Sequence, residues 1–445
     1  MLALILRNSN EVKRESTPLT QLTIKRVHVD TLTHHVMLDY DVFDSQAKNL
    51  KIDIELCKDK RSCFICHDIK SEGDVGFPVS TGLNKRLAFS YCDSIHSINK
   101  YVIKLTATDI GAVDMSHVLK NVDVNRIRKD VRNLFGVRNR TTKQGLEHLQ
   151  QVRKYLHTSF QDCGLVAFQQ NFQWDGTMHA NIVGRIEGTA TNTMYGLGAH
   201  FDTTIDCPGA DDNASGVAAM LEVMRVLSNY HFKNDIVFVG FDLEEYGCIG
   251  SNEYVSSIIK SKRDSLIGFI NFDMIGYYSE KENSQYFPPE LMSIYPEAYQ
   301  NVAKNKFKGD FAINILNEAS ADLGGAFVHL SSQHVPDLKL LTLSVERNGQ
   351  SIPSFRRSDH ATFWDHGFRA IYLGDGADTR NPSYHAPSDS LETLDYTRIS
   401  LLVKSTIATL ATLSGIQRRV STFSAIPSSP QLSNIFWISS WKERK

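Results

Sequence analysis

The sequence predicts a small all-β, sandwich-like domain followed by a larger α/β domain. Three observations carry that expectation. Residues from about 20 to 110 hold short runs of alternating apolar and polar residues, separated by polar turns. From about 122 the apolar spacing turns helical, and strand-like and helix-like segments then alternate to about 415. Within that second part, four apolar runs each end in a cluster of His, Asp and Glu.

The front strands are Thr23 to Val29, Val36 to Phe43, Leu50 to Leu56 and Tyr101 to Ala107, whose patterning fits a β-sandwich. Helical spacing follows over Val124 to Phe135 and Gly145 to Phe160, with Leu146, Leu149, Val152 and Leu156 as an apolar stripe. A third helix is expected on Val217, Met220, Leu221, Met224 and Leu227. Residues beyond 415, rich in Ser and carrying Pro427 and Pro430, read as a loosely held tail. The expected division is 1–121, 122–415 and 416–445.

Composition narrows the function. Hydrophobic residues at 42% and charged residues at 22% are ordinary for a globular chain. Lys and Arg total 48 against 50 Asp and Glu, a net charge of −2, which leaves no basic footprint for nucleic acid. No apolar run approaches the ~20 residues of a membrane span. The apolar start, Met1 to Leu6, is too short for a secretory core, so the chain reads as cytoplasmic; a missing leader would make it secreted or periplasmic. Seven scattered Cys do not form a disulfide framework. Cys63-Phe-Ile-Cys66-His67 fits a haem-attachment pattern, but ordinary thiols are the expectation in a β domain, ahead of a structural metal or a disulfide. Sequons stand at Asn139 and Asn213, the second inside the expected site, where a glycan would not fit.

The four clusters are His200 and Asp202 after Gly196 to Ala199, Glu244 and Glu245 after Ile236 to Phe241, Asp273 after Leu266 to Phe272, and Tyr384-His385 beyond Ala370 to Leu373. Ligands of open α/β sheets bind outside the carboxyl ends of the strands. A fifth element, Pro208 to Gly216, offers Asp211 or Asp212 in a loop of small residues ahead of the third helix. Imidazole plus carboxylate suits Zn²⁺, with Co²⁺ or Mn²⁺ as alternatives. The ligands outnumber what one tetrahedral ion needs, which points to two metals sharing a carboxylate.

These motifs resemble the M28 family of zinc exopeptidases, the co-catalytic dizinc aminopeptidases. GAHFD, PGADDNASG, DLEEYGCIGS, NFDMIGY, RRSDHATFW and NPSYHAPSDS occur in the family's order over about 125 to 415. The resemblance implies a mixed, largely parallel sheet between helix layers, and two Zn²⁺ per chain held by His200, Asp212, Glu245, Asp273 and His385. Asp212 would bridge them, because the family's bridging residue directly precedes the Asn of DNASG, and the peptide bond after it is typically cis. Glu244 would be the general base, taking a proton from water at the metals and passing it to the leaving amine. Asp202 would orient His200, and the Tyr384 hydroxyl would face the oxyanion. Asp359 and His360 would support the site's loops, and Arg380 is expected in a loop salt bridge. Cys207 and Cys248 are local departures, expected as small buried thiols.

The implied activity is removal of the N-terminal residue from peptides with a free amine. Alternatives are a glutaminyl-cyclase-like cyclotransferase on the same fold, a carboxypeptidase or dipeptidase of the family, and a binding protein on a peptidase scaffold. All five metal positions are filled here, which favours the peptidase.

Overall fold

A computed structural model describes residues 20–30, 33–44, 49–57, 63–64, 71–73, 76–90, 102–108, 113–189, 193–261, 265–417 and 421–425. The chain divides into two compact units, residues 1–112 with 417–445, and residues 113–416. The short helix Met115–Leu119 therefore belongs to the second unit, earlier than the boundary expected at 121/122. Among the described residues no helix is long and apolar enough to cross a membrane.

Among the described residues, the strands of the first unit all pair antiparallel. One sheet runs in the order Thr20–Asp30, His35–Asp44, Gly82–Ser90, Ser71–Gly73; the other in the order Ser421–Ala425, Val102–Thr108, Asn49–Cys57, Cys63–Phe64. Alternate residues of both sheets meet in one core: Val36, Leu38, Tyr40 and Val42, Leu87 and Phe89, Ile52, Ile54 and Leu56, and Ile103 and Leu105. That period of two, with both sheets contributing, makes the unit a sandwich. Residues 421–425, expected in a loose tail, instead pair with Val102–Thr108 as an edge strand. Of the Cys63 to His67 motif only the backbone of Cys63–Phe64 is described, paired with Leu56 and Cys57; its remaining residues, and Cys92, lie outside the described residues.

The second unit is built on an eight-stranded sheet. Its order is Leu340–Val345, Ala312–Asn317, Ala370–Gly374, Ser265–Phe272, Thr193–His200, Asp235–Phe241, Thr177–Ile186, Val166–Trp174. The four strands from Ala370–Gly374 to Asp235–Phe241 are mutually parallel neighbours. They are the four runs whose ends the sequence loads with ligand residues. Alternation again sorts their side chains. Ile236, Phe238, Ile270 and Phe272 pack on one layer, with the helices Val124–Leu134, Lys143–Asp162, Gly216–Leu227, Ala321–His334 and Tyr396–Leu413. Val237, Val239, Phe241 and Phe269 pack on the other, with Ile249–Ser261 and His360–Asp365.

Thr142 caps the helix Lys143–Asp162, its hydroxyl accepting from the Gly145 amide at 3.0 Å. Its buried stripe is Leu149, Val152, Leu156 and Phe160, whereas Leu146, expected in that stripe, is 38% exposed. Gly216–Leu227 is enclosed on all sides, with only Arg225 partly exposed, so the loop ahead of it is anchored to the centre of the core.

Candidate metal centre and active site

Parallel neighbours release their chains at one edge of the sheet, and that edge collects the polar residues. His200 is the last residue of its strand, Asp273 directly follows Phe272, Glu244 and Glu245 follow Phe241, and His385 lies in the loop after Gly374. The backbone turns sharply beside these residues. Leu243 and His385 sit in the left-handed region at φ 59° and 53°, a conformation that non-glycine residues hold only under constraint from their surroundings.

The turn Ala210–Ser215 presents Asp212, whose φ and ψ of −103° and 90° leave the helical region. The Asp212–Asn213 peptide bond is cis. Asn213 then fixes the turn: its amide donates to the Phe272 carbonyl at 2.9 Å, and its Oδ1 accepts from the Gly216 and Met274 amides. Gly209, at φ 60°, has no room for a side chain, because a Cβ there would run into the Asp212 carbonyl and the Arg138 guanidinium.

Two donor groups share Asp212. His200 Nε2 lies 3.3 Å from Asp212 Oδ1 and 3.3 Å from Asp273 Oδ1. His385 Nε2 lies 3.1 Å from Asp212 Oδ2 and 3.3 Å from Glu245 Oε2. An ion bonded at ~2.0–2.1 Å to two donors at the tetrahedral angle would hold those donors about 3.3 Å apart. Each group also gathers three ligand atoms within 4.8 Å. Glu245 Oε1 is buried without a hydrogen-bond partner, an expensive condition for a carboxylate unless a cation meets it. Among the described residues no Lys or Arg forms an ion pair with Asp212, Glu244, Glu245 or Asp273; the groups facing Asp212, Glu245 and Asp273 are the imidazoles of His200 and His385. Asp211, the alternative from sequence, turns away, accepting from the Gly276 amide at 2.8 Å and the Asn381 side chain at 2.7 Å.

Electrostatics follow from this crowding. Burial, joined by neighbouring carboxylates, raises Glu244 and Glu245 well above the ordinary carboxylate range. Burial works against Asp212 as well, but His200 and His385 hold its carboxyl well below that range. Asp202 sits behind the centre. Its oxygens accept from the Glu244 and Glu245 amides at 3.0 and 3.2 Å, and its Oδ1 is 3.5 Å from His200 Nδ1. One carboxylate thus turns the imidazole and pins the loop that carries both glutamates.

Tyr384 stacks on His385, ring centroids 3.8 Å apart, and lines the same cleft. Burial raises its hydroxyl above an ordinary tyrosine, which keeps it a donor at neutral pH. The neighbouring Tyr372 hydroxyl is committed to the Asp273 carbonyl at 3.1 Å. The cleft has a volume of about 1000 Å³, and beside the carboxylates its wall is apolar, with Phe287, Leu291, Phe311, Ile313, Ile315 and Leu343.

Several residues support this site through contacts that the sequence does not reveal. Arg138 is fully buried and donates to the carbonyls of Leu134, Gly136, Phe201, Pro208 and Gly209, so it ties the exit of the His200 strand to the Asp212 loop. Burial lowers its guanidinium to about 10, still charged at neutral pH. Arg138→Met would strand several buried carbonyls, and we expect a loss of about 3 kcal/mol or more. Thermal unfolding of the purified variant checks it; an unchanged midpoint would remove Arg138 from the supports. Asp389 accepts from the Asp211 and Asp212 amides at 2.9 and 3.0 Å. Asp242, buried before the two glutamates, is held by Arg153 and by His179.

His360 Nε2 faces the Phe355 carbonyl at 2.8 Å and lies buried below the site. Arg380 departs from expectation: it is buried, donating to Gln285 Oε1 and the Phe311 carbonyl at 2.8 Å each, rather than pairing with a loop carboxylate. Asn139 is buried with its amide bonded to the Thr203 carbonyl and Asn213 is enclosed in the site, so neither sequon is an acceptor in the folded chain.

The model of peptidase family M28 matches residues 181–410. The chain is 29% identical over 309 residues to YfbL, an uncharacterised protein of Escherichia coli (strain K12), covering 65% of this chain and 88% of that one. It is 35% identical over 95 residues to a probable leucine aminopeptidase 2 of Aspergillus oryzae, 21% of this chain and 19% of that one. Among solved structures, the LapA aminopeptidase of Legionella pneumophila superposes with a TM-score of 0.53 at 18% identity, covering 69% of this chain and 77% of LapA. An aminopeptidase of Aneurinibacillus sp. strain AM-1 superposes at 0.51 with 16% identity, covering 68% and 96%. Those likenesses carry the fold.

Proposed function

The chain belongs to peptidase family M28, and from that we propose that it is a dizinc aminopeptidase that removes the first residue from peptides with a free amine. The observation that carries this reading is Asp212, with one oxygen turned to His200 and the other to His385. His200, Asp212 and Asp273 would hold one ion, and Asp212, Glu245 and His385 the other. Bound zinc would polarise the scissile carbonyl and acidify water.

The chain's own residues supply the rest. Glu244, on the cleft wall beside both groups, accepts the proton of the attacking water and delivers it to the leaving amine. Asp202 keeps His200 and the glutamate loop in place. The Tyr384 hydroxyl donates to the oxygen of the tetrahedral state. The apolar wall takes the side chain of the first residue, and burying a large apolar group there is worth about 1.5–3 kcal/mol.

The test pairs metal analysis with a panel of aminoacyl chromogenic amides, each free or N-acetylated. Expected are about two zincs per chain, cleavage of only the free-amine members, and Leu or Phe preferred over Asp by more than about tenfold. Equal cleavage of the acetylated members would sink the aminopeptidase. A Gln-initiated peptide that releases ammonia rather than free glutamine would move the assignment to cyclisation.

A further inference from the structure

The turn that carries the glutamates closes on itself. The amides of Gly247 and Cys248 both donate to the Glu244 carbonyl at 2.8 Å, and the Ile249 amide reaches the Leu243 carbonyl at 3.1 Å. This brings the side chain of Cys248 back onto that of Glu244, with Sγ 3.6 Å from Oε1. Among the described residues, no other side chain donates to this carboxylate. Both Glu244 and Cys248 line the cleft.

Cys248 also sits in the left-handed region at φ 57°, directly after Gly247 at φ 100°. A glycine would hold that conformation with less strain. A non-glycine side chain at a strained position points to a use, and here what it touches is the base.

Resting on the reading of Glu244 as general base, we propose that Cys248 is a positioning residue for it: the thiol donates to Oε1 and fixes the carboxylate in the rotamer that faces the cleft. Asp202 holds the backbone of Glu244 through the amide, and Cys248 holds its far end. Neither contact alone determines where the accepting oxygen lies.

The experiment uses the full-length, zinc-loaded protein and four variants. Cys248→Ala and Cys248→Gly should lower kcat about threefold to tenfold, the worth of one net hydrogen bond, with KM within twofold and zinc content unchanged. Cys248→Gly relieves the strained backbone, so its thermal midpoint should equal or exceed that of the parent while kcat still falls. Cys248→Ser keeps a donor and should hold kcat above both. A readout apart from activity is labelling of Cys248 by methyl methanethiosulfonate, followed by peptide mass. In Glu244→Gln the thiol no longer faces a negative charge, and its labelling should speed up several-fold.

An unchanged kcat in both Cys248→Ala and Cys248→Gly would overturn the proposal, as would equal labelling rates with and without the Glu244 carboxylate. Loss of zinc alongside kcat would overturn it in favour of a metal-holding role. An inactive parent protein with normal zinc would instead strike at the aminopeptidase reading, and the labelling comparison would still decide whether thiol and carboxylate are coupled.

Discussion

Glu244→Gln is expected to fold, to keep its metals and to lose roughly 10²–10⁴ in kcat, the usual worth of general acid–base catalysis. The substitution replaces one oxygen by an amide of the same shape, so packing around this largely buried side chain is preserved. What disappears is the capacity to take a proton. Glu244 also lies near enough to His200 and Glu245 to form a third candidate donor group, so the variant separates two roles. As base, it changes kcat while zinc per chain stays constant through dialysis. As ligand, it loses zinc first and activity in proportion. Near-normal turnover would refute both roles, and KM should move little, because no substrate contact is removed.

The sequence exposes this site unevenly, and the reason is physical. Four apolar runs ending in His200, Glu244, Asp273 and the loop to His385 are legible because a parallel strand buried on both faces reads as a continuous apolar stretch, and the polar residues after it stand out. The structure places those strands side by side. The choice between Asp211 and Asp212 is different in kind. Both are buried carboxylates in one loop, and only resemblance selects Asp212; the structure supplies the reason in the Gly276 and Asn381 donors that occupy Asp211. Arg138 is illegible for the opposite reason. An arginine after Gly136 and Val137 reads as a surface charge until the carbonyls that surround it are known. Asp389 sits within a recognised motif, but its task, gripping the Asp211 and Asp212 amides, is a tertiary fact. The strand Gly82–Ser90 escapes notice because Asn84, Lys85 and Arg86 interrupt its apolar pattern, leaving only Leu87 and Phe89 to mark the core.

Removing the shared carboxylate should cost most of all. Asp212→Asn leaves His200, His385, Glu245 and Asp273 in place but weakens a donor to each group at once, since the two oxygens serve different histidines. An amide nitrogen cannot bind a cation, and an amide oxygen lacks the charge that offsets two ions, so both sites should empty on dialysis. Activity should fall by at least about 10³, as expected when catalysis requires both metals to be in position. His385→Ala provides the contrast: it touches only the group with Asp212 and Glu245, and we expect about one zinc to remain with His200 and Asp273. Binding to the folded state alone raises stability, so a chelator should lower the thermal midpoint of the parent, lower that of His385→Ala by less, and leave Asp212→Asn unmoved. The order of zinc content, parent above His385→Ala above Asp212→Asn, is what sharing requires. If Asp212→Asn kept as much zinc as His385→Ala, about one ion per chain, Asp212 would serve only one group and would not bridge them.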